Sequence, residues 1–408
     1  MDVGPVRAIS QASNQLAGID WGRTRFHDHD GSLSGLKGRL QEGDVLVNST
    51  GTGTLGRVGY FSTAPDGTPC MADSHVTLAR VEPGLLDSRF LYYWLGSSAF
   101  QHYLKIALAV GATNQIELNR DRLGDAPVPL PPFDEQRRIA DFLELETGRM
   151  EMLGKKLAKF RSDLSERDLA LLGGLLNCHV EHSGSPLPEG WLWTPLGHLT
   201  DPFRQIMYGI VLPGPNVPEG VPVVKGGDVV ADRLSLASLN RTTREIESRY
   251  ERSRLEGGDL VIAIRGSVGE VATVPEELTG ANLTQDAARI SIGDSIDARW
   301  LRFVLRSPFV MHEIQRRVTG ATIKGINIWD LKRVPIPVPP LQAQSDLAVE
   351  VSHEIALHDS LREGVSRHEL LLAERRQALI TAAVTGQFDV STASGRNVTD
   401  VTDGVTRV

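Results

Sequence analysis

Apolar residues recur every seven positions along two long stretches of the chain. Leu143, Met150, Leu157, Leu164 and Leu171 mark the first, with Leu153 and Phe160 at a second seam position. Val351, His358, Val365, Leu372 and Leu379 mark the second, with Leu361 at its second position. A seven-residue repeat is coiled-coil spacing. It predicts helices over 134–176 and 342–383, each of roughly 43 residues and about 65 Å. A small domain needs no helix of that length, and each stripe is narrow. The pattern therefore predicts that the two helices pair, with Leu143, Met150, Leu157, Leu164, Val351, Val365 and Leu372 on the shared seam. The competing reading packs each helix on its own globular domain.

The stretches before each helix read as short strands. Asp44-Val45-Leu46-Val47, Arg57-Val58-Gly59-Tyr60-Phe61 and His75-Val76-Thr77-Leu78-Ala79 are strand-like in the first, while Arg89–Leu104 is helical through Phe90, Tyr93, Trp94, Phe100 and Leu104. Much of this is written twice. Val128-Pro129-Leu130-Pro131-Pro132-Phe133-Asp134-Glu135-Gln136 returns 208 residues later as Ile336-Pro337-Val338-Pro339-Pro340-Leu341-Gln342-Ala343-Gln344. Gly43-Asp44-Val45-Leu46-Val47 answers Gly258-Asp259-Leu260-Val261-Ile262, and Phe90-Leu91-Tyr92-Tyr93-Trp94-Leu95 answers Trp300-Leu301-Arg302-Phe303-Val304-Leu305. Such a period is far longer than a solenoid repeat of ~20–50 residues. It predicts a tandem-duplicated α+β chain: β-rich domains at 1–130 and 183–338, helix-bearing segments at 131–182 and 339–385, and a polar tail at 386–408 with the composition of a disordered segment.

Composition narrows the function classes. The 408 residues are 41% hydrophobic, ordinary for globular domains. No apolar run reaches the ~18 residues of a membrane span, and Met1-Asp2-Val3-Gly4-Pro5 lacks the basic and apolar parts of a signal peptide. Two cysteines, Cys70 and Cys178, occupy non-equivalent positions. They predict no disulfide framework and fit a cytoplasmic protein. The formal net charge of −8 argues against an overall basic surface, not against local basic loops.

Catalytic motifs are absent from the sequence. Gly51-Thr52-Gly53-Thr54-Leu55-Gly56 matches a dinucleotide fingerprint but runs on into a strand-like stretch, and its counterpart around Arg265-Gly266-Ser267 lacks the pattern. A glycine-rich hairpin loop is the better reading. Asp201-Pro202-Phe203 lacks the second proline of a methyltransferase motif. His27-Asp28-His29 and His179-Val180-Glu181-His182 have no partners at metal spacing. No metal or cofactor is expected. Arginine and lysine do crowd the loops: Arg23, Arg25, Lys37, Arg39 and Arg57 in the first copy, and Arg241, Arg244, Arg249, Arg252, Arg254, Arg265, Arg316, Arg317 and Lys324 in the second. Scattered surface charge explains most such residues. Their mixture with Asn, Gln, Ser and Thr suits phosphate and base-edge contacts. The DNA-contact candidates are Asn48, Ser49, Thr50, Arg57, Asn114, Gln115, Lys225, Arg265, Ser267, Asn282, Thr284, Gln285, Lys324 and Asn327.

Together these features resemble the specificity subunits of Type I restriction–modification systems. The resemblance rests on Asp44–Gly53, Phe90–Leu95, Leu187-Pro188-Glu189-Gly190-Trp191, Asn282-Leu283-Thr284-Gln285-Asp286 and the two proline-rich helix entries. It implies two target-recognition domains joined by two long antiparallel helices, each domain reading one half of a split site in double-stranded DNA. It also implies partners: two S-adenosylmethionine-dependent modification subunits and ATP-driven restriction subunits, which carry the chemistry. The alternative is a duplicated coiled-coil scaffold, or silent specificity subunit, that binds no DNA. One departure stands out. Trp191 precedes Asp259 by 68 residues, but only 43 precede Asp44, so the first domain is about 25 residues short.

Overall fold

The computed structural model describes residues 4–16, 18–29, 31–51, 53–110, 117–174, 185–230, 234–320 and 324–392. The chain divides into two compact units: Met1–Ala158 with Val365–Val408, and Lys159–Gly364.

Each unit is built on two small sheets. In unit 1, Val6–Ile9 lies between antiparallel Arg25–His27 and parallel Cys70–Ala72, while Val45–Asn48 lies between antiparallel Val58–Tyr60 and Val76–Ala79. Unit 2 repeats both. Val221–Val224 lies between antiparallel Asn240–Thr242 and parallel Asn282–Leu283, and Leu260–Ala263 lies between Val271–Thr273 and Ala287–Ile290. Unit 2 then adds two pairings. Met207–Tyr208 covers the outer edge of Ala287–Ile290, and Leu192–Pro195 runs antiparallel to Pro335–Val338. The central strands Val45–Asn48 and Leu260–Ala263 are buried throughout, which explains the apolar runs at 45–47 and 260–263.

The helices repeat with their caps. Asp87 accepts the Arg89 and Phe90 N–H groups to start helix Ser88–Gly96, as Asp297 accepts those of Arg299 and Trp300 to start Ala298–Leu305. Ser97 and Ser307 cap the helices that follow, and Asn119 and Asn327 cap Arg120–Gly124 and Ile328–Lys332. Each cap satisfies N–H groups that the first helical turn leaves without partners.

The long helices are Phe133–Gly174 and Leu341–Val384, and each contributes residues to both units. In unit 1 the start of the first meets the end of the second: Ile139, Ala140 and Leu143 pack with Leu379, Ile380, Ala383, Phe90 and Tyr93. In unit 2 the end of the first meets the start of the second, where Leu172 packs with Val351, Ile355 and Phe303. The pairing within each unit is antiparallel.

The seam differs from the expected one at its second position. Leu153, Phe160 and Leu361 are 45%, 37% and 39% exposed. Their places are taken one residue later. Thr147 is buried and Gly154, Arg161 and Asp168 half-buried in the first helix; Ile355 and Ala383 are buried and Arg362, Glu369 and Arg376 half-buried in the second. Positions three and four residues after a seam residue lie on the same face, so periodicity alone does not separate them. The seam is polar where sequence suggested leucine and phenylalanine: in unit 2, Asp168 accepts from His358 Nδ1 at 2.5 Å and from the Arg362 guanidinium. Leu143, Leu164, Val351 and Val365 are buried; Met150, Leu157 and Leu372 are half-buried.

Candidate nucleic-acid interface

In unit 2 four loops converge beyond the end of strand Leu260–Ala263. The Asp286 carbonyl accepts the N–H groups of Ile264 and Arg265, and Gly266 N–H reaches the Lys324 carbonyl at 3.2 Å. Ser267 Oγ donates to the Gly226 carbonyl at 3.3 Å. Gly226 makes this crossing possible, since a Cβ there would stand 2.8 Å from the Asp286 carbonyl oxygen and 3.0 Å from that of Arg265. Five candidates are thereby drawn into one cluster: Lys225, Arg265, Ser267, Gln285 and Lys324. Arg265, Ser267 and Lys324 are exposed, and Lys225 and Gln285 half-buried. Arg265 comes no nearer than 4.0 Å to the Asp286 carboxylate, leaving most of its hydrogen-bonding capacity directed outward.

Other basic residues of unit 2 are paired with groups of the same unit, some at its surface. Arg254 pairs with Glu247, Arg316 and Arg317 with the buried Glu313, and Arg249 with Glu245. Arg204 joins Asp259 and Glu256, while the buried Arg289 donates to the carbonyls of Arg252 and Arg254. Burial pushes the Arg289 guanidinium below its ordinary value, with Arg204 adding repulsion. A count of arginines overstates the charge offered to a partner.

Unit 1 forms the corresponding loop cluster from different residues. Ser49 N–H donates to the His75 carbonyl, and Leu118 N–H to the Ser49 carbonyl. Thr50 Oγ1 lies 3.0 Å from His75 Nδ1 and 3.2 Å from Gln11 Oε1. Ser49 Oγ meets Thr77 Oγ1 at 2.5 Å. Arg57 is turned inward, donating to Gln15 Oε1 at 2.7 Å and the Asn14 carbonyl at 3.2 Å. Gly51, Gly53 and Gly56 all adopt positive φ, and a Cβ on Gly51 would sit 2.4 Å from Gln11 Oε1 and from Thr54 Oγ1. The loop leads into strand Val58–Tyr60. A dinucleotide fingerprint opens a helix instead, so the glycines here shape a turn.

Two candidates are corrected. Asn48 is fully buried, its Oδ1 accepting from Asn14 Nδ2 and its Nδ2 donating to the Gln11 carbonyl. Asn282 is fully buried too, donating to Glu247 and to the Tyr250 carbonyl while its Oδ1 accepts from Ser253 Oγ. Both lock strands to loops, and neither side chain reaches the surface. Thr284 is also buried. Asn327 is exposed but serves as a helix cap, holding the Asp330 N–H and side chain. Asn114 and Gln115 lie outside the described residues. Sequence reasoning missed Gln11 and His75, which meet Thr50 only through long-range folding. Their relation to the second copy, where Gly226 stands opposite Gln11, is the one signal that marks them. Among the described residues no cluster of three or more His, Cys, Asp or Glu could hold a metal, and no helix is long and apolar enough to cross a membrane.

The profile of the Type I restriction modification DNA specificity domain matches the chain twice, at residues 34–157 and 215–349. The EcoBI specificity subunit of Escherichia coli is 24% identical over 403 residues, covering 93% of this chain and 82% of that protein. A putative Methanocaldococcus jannaschii MjaX specificity subunit is 23% identical over 372 residues, covering 87% and 81%. Among solved structures, a chain from a study of complex assembly and conformational transition of the type I R-M system superposes with a TM-score of 0.73 at 19% identity, covering 93% of this chain and 90% of that one. The HsdS subunit of Thermoanaerobacter tengcongensis gives 0.53 at 20% identity, covering 94% and 90%.

Proposed function

This chain belongs to the Type I restriction–modification DNA specificity family, and from that premise we propose that it reads a split DNA site, one half-site for each of its two units. Family membership gives it a DNA-sequence specificity role, as a non-catalytic component of a restriction–modification complex. The finer assignment rests on one observation: the two copies bring equivalent loops together with different side chains. Unit 2 offers Lys225, Arg265, Gln285 and Lys324 where unit 1 offers Gln11, Thr50 and His75. Cationic side chains neutralise phosphates, and Arg and Gln match base edges bidentately. Different loop chemistry on one framework supports an asymmetric pair of half-sites.

Docking of modification and restriction subunits belongs to the same proposal. Each long helix carries apolar residues away from its seam: Leu145, Met152 and Leu169 on the first, Val349, Leu357 and Leu370 on the second, all at least 50% exposed. Residues of this kind in both units support two modification subunits, one for each. The chain reads the DNA and holds its partners, and the methyl transfer is theirs.

The test is a map of methylated adenines in cells carrying the chain with its modification partner. Arg265→Glu together with Lys324→Glu is expected to relax or abolish one half of the methylated motif and leave the other intact. Loss of both halves with a folded protein, or of neither, would refute the assignment of unit 2 loops to one half-site.

A further inference from the structure

Unit 1 holds an open groove of about 480 Å³ between the exit of its glycine-rich loop and the end of the second long helix. Gly56, Arg57 and Val58 form one wall, and Arg376, Gln377 and Ile380 another. The walls are tied together. Gln101 Nε2 donates to the Gly56 carbonyl at 2.8 Å and to the Leu95 carbonyl at 2.7 Å. Gln377 Nε2 donates to the Gly96 carbonyl at 2.9 Å. Thr381 Oγ1 accepts the Ser98 N–H at 3.0 Å and meets Ser98 Oγ at 2.7 Å.

Charge sets the groove apart. Arg57, Lys105 and Arg376 line it together with His102, and no Asp or Glu does, although the acids of the chain outnumber its Lys and Arg by 51 to 43. Lys105 is exposed. Arg376 is half-buried and makes no ion pair or hydrogen bond with the described residues. Glu144 and Glu151 line the neighbouring hollow, but they pair with Arg89 and Lys155. A half-buried charge without a partner is costly, and an anion in the groove removes that cost.

Unit 2 lacks the arrangement. The repeat puts Asp168 at the place of Arg376 and Gln315 at that of Lys105. Asp168 is taken by His358 and Arg362, and Gln315 Nε2 donates to the Val268 carbonyl at 3.0 Å. The loop clusters differ in the opposite sense. Unit 2 presents Lys225, Arg265 and Lys324, where the described loop residues of unit 1 present Gln11, Thr50 and His75. The cations that the loop cluster of unit 1 lacks stand in the groove beside it.

We propose that this groove binds the DNA backbone beside the half-site that unit 1 reads, with Arg376 and Lys105 as the cations that meet the phosphate. The proposal rests on the split-site reading above. Phosphate contacts fix the register and orientation of a protein on the duplex and carry no base information directly. Gly56 and Arg57 join the groove to the loop that follows Thr50, so a duplex lying on that loop brings its backbone to the groove. Three cations around one groove suit the closely spaced charges of a nucleic-acid strand, one per ~3.4 Å, better than a single carboxylate of a partner protein. The second long helix is then a DNA contact as well as a spacer, and it is so in one unit only.

The test titrates the chain, assembled with its modification partner, with duplexes carrying the mapped motif. The half-site of unit 1 is the one that Arg265→Glu with Lys324→Glu leaves intact. Single phosphates around it are replaced in turn by neutral methylphosphonate. In the wild type at least one replacement is expected to weaken binding by about tenfold, the size of a hydrogen bond to a charged group. In Arg376→Gln with Lys105→Gln that replacement is expected to have no further effect, and the salt slope to fall by about 0.9. The melting temperature should hold, since neither side chain has an ion pair within the protein to lose. Should the double variant fold poorly, Lys105→Gln alone is expected to move both readouts in the same sense. Wild type and variant equally sensitive to every methylphosphonate would overturn the proposal. So would loss of the modification subunit at an unchanged slope, which assigns the groove to a carboxylate of that partner, or binding of free pyrophosphate in the groove with no methylphosphonate effect. A wild-type complex that binds no sequence specifically would sink the split-site reading itself, and this contact with it.

Discussion

Gln136 reaches back to the start of another helix: its Oε1 accepts the backbone N–H of Asp87 at 2.8 Å. Its Nε2 donates to the carbonyls of Leu85 and Pro131 at 3.1 and 2.9 Å. Gln344 repeats the lock on Asp297 at 2.9 Å, with Ser295 and Pro339 as its acceptors. Both glutamines are 1% exposed. Each fastens the entry of a long helix to the capping turn of its recognition domain. This is the physical reason the proline-rich motif ends in glutamine in both copies.

Gln136→Ala strips three backbone groups of a buried partner, and an unsatisfied buried polar group costs about 1–3 kcal/mol. A destabilisation of that size is expected in denaturant unfolding, with the midpoint lowered and DNA-motif identity unchanged. An unaltered midpoint would show that water replaces the side chain at no cost.

Arg265→Glu and Asn282→Ala are expected to fail in different ways. Arg265 is exposed and its loss should weaken DNA binding by about 1–3 kcal/mol while the melting temperature holds. Asn282 is buried, so its loss should lower the melting temperature and affect binding only through folding. Salt titration sharpens the distinction. The logarithm of affinity falls by about 0.9 per neutralised phosphate for each tenfold rise in salt, and only the Arg265 variant should reduce that slope. The same slope in wild type and Arg265→Glu would remove Arg265 from the interface.

Glu247 provides a pH-dependent term in unit 2. Hydrogen bonds from Arg254 hold its carboxyl below the ordinary value of 4.5, with Asn282 assisting against burial. A carboxyl depressed in the folded state contributes stability above its unfolded value and loses it as pH falls through the folded value. Glu247→Gln is therefore expected to be less stable than wild type near pH 7. The gap should narrow as pH drops below about 4.5, as read from denaturant midpoints across pH 3–7. A gap that stays constant over that range would assign the effect to shape and not to charge.

Helix length is the remaining variable. Seven added residues lengthen a helix by about 10 Å, close to three base-pair steps of B-DNA. A full heptad also keeps the seam facing its partner. Matched insertions in both long helices are expected to preserve the two half-site sequences and lengthen the spacer between them, as read by sequencing of methylated DNA. An unchanged spacer in a folded variant would show that the helices do not measure the site.

Much of this architecture could be read directly. Strands such as Leu260–Ala263 are continuous apolar runs, the caps Asp87 and Asp297 precede periodic segments, and the duplication ties them together. The seam was half legible: Leu143 and Val351 are apolar and buried, but Arg161, Asp168 and Glu369 carry no hydrophobic signal. The interface was harder still. Asn48 and Asn282 have the residue type that reads bases, yet both are consumed by internal hydrogen bonds. Whether a polar side chain faces outward depends on contacts between residues such as Asn14 and Asn48, which sequence spacing does not encode.

The composition of unit 1 fixes an order of events on the ribosome. Leu143 and Phe90 are covered by Leu379, Ile380 and Ala383, which emerge only after every residue of unit 2 has been made. At ~5–20 residues per second, the roughly 230 intervening residues take about 10–50 s. Through that interval the apolar face of the first-made domain is open to water, and chaperones can bind it. Unit 2 closes on itself once residue 364 is out. The half encoded first is thus the half completed last, and nascent chains stalled within the second long helix would carry a finished C-terminal unit beside an N-terminal one whose helix-facing side is uncovered.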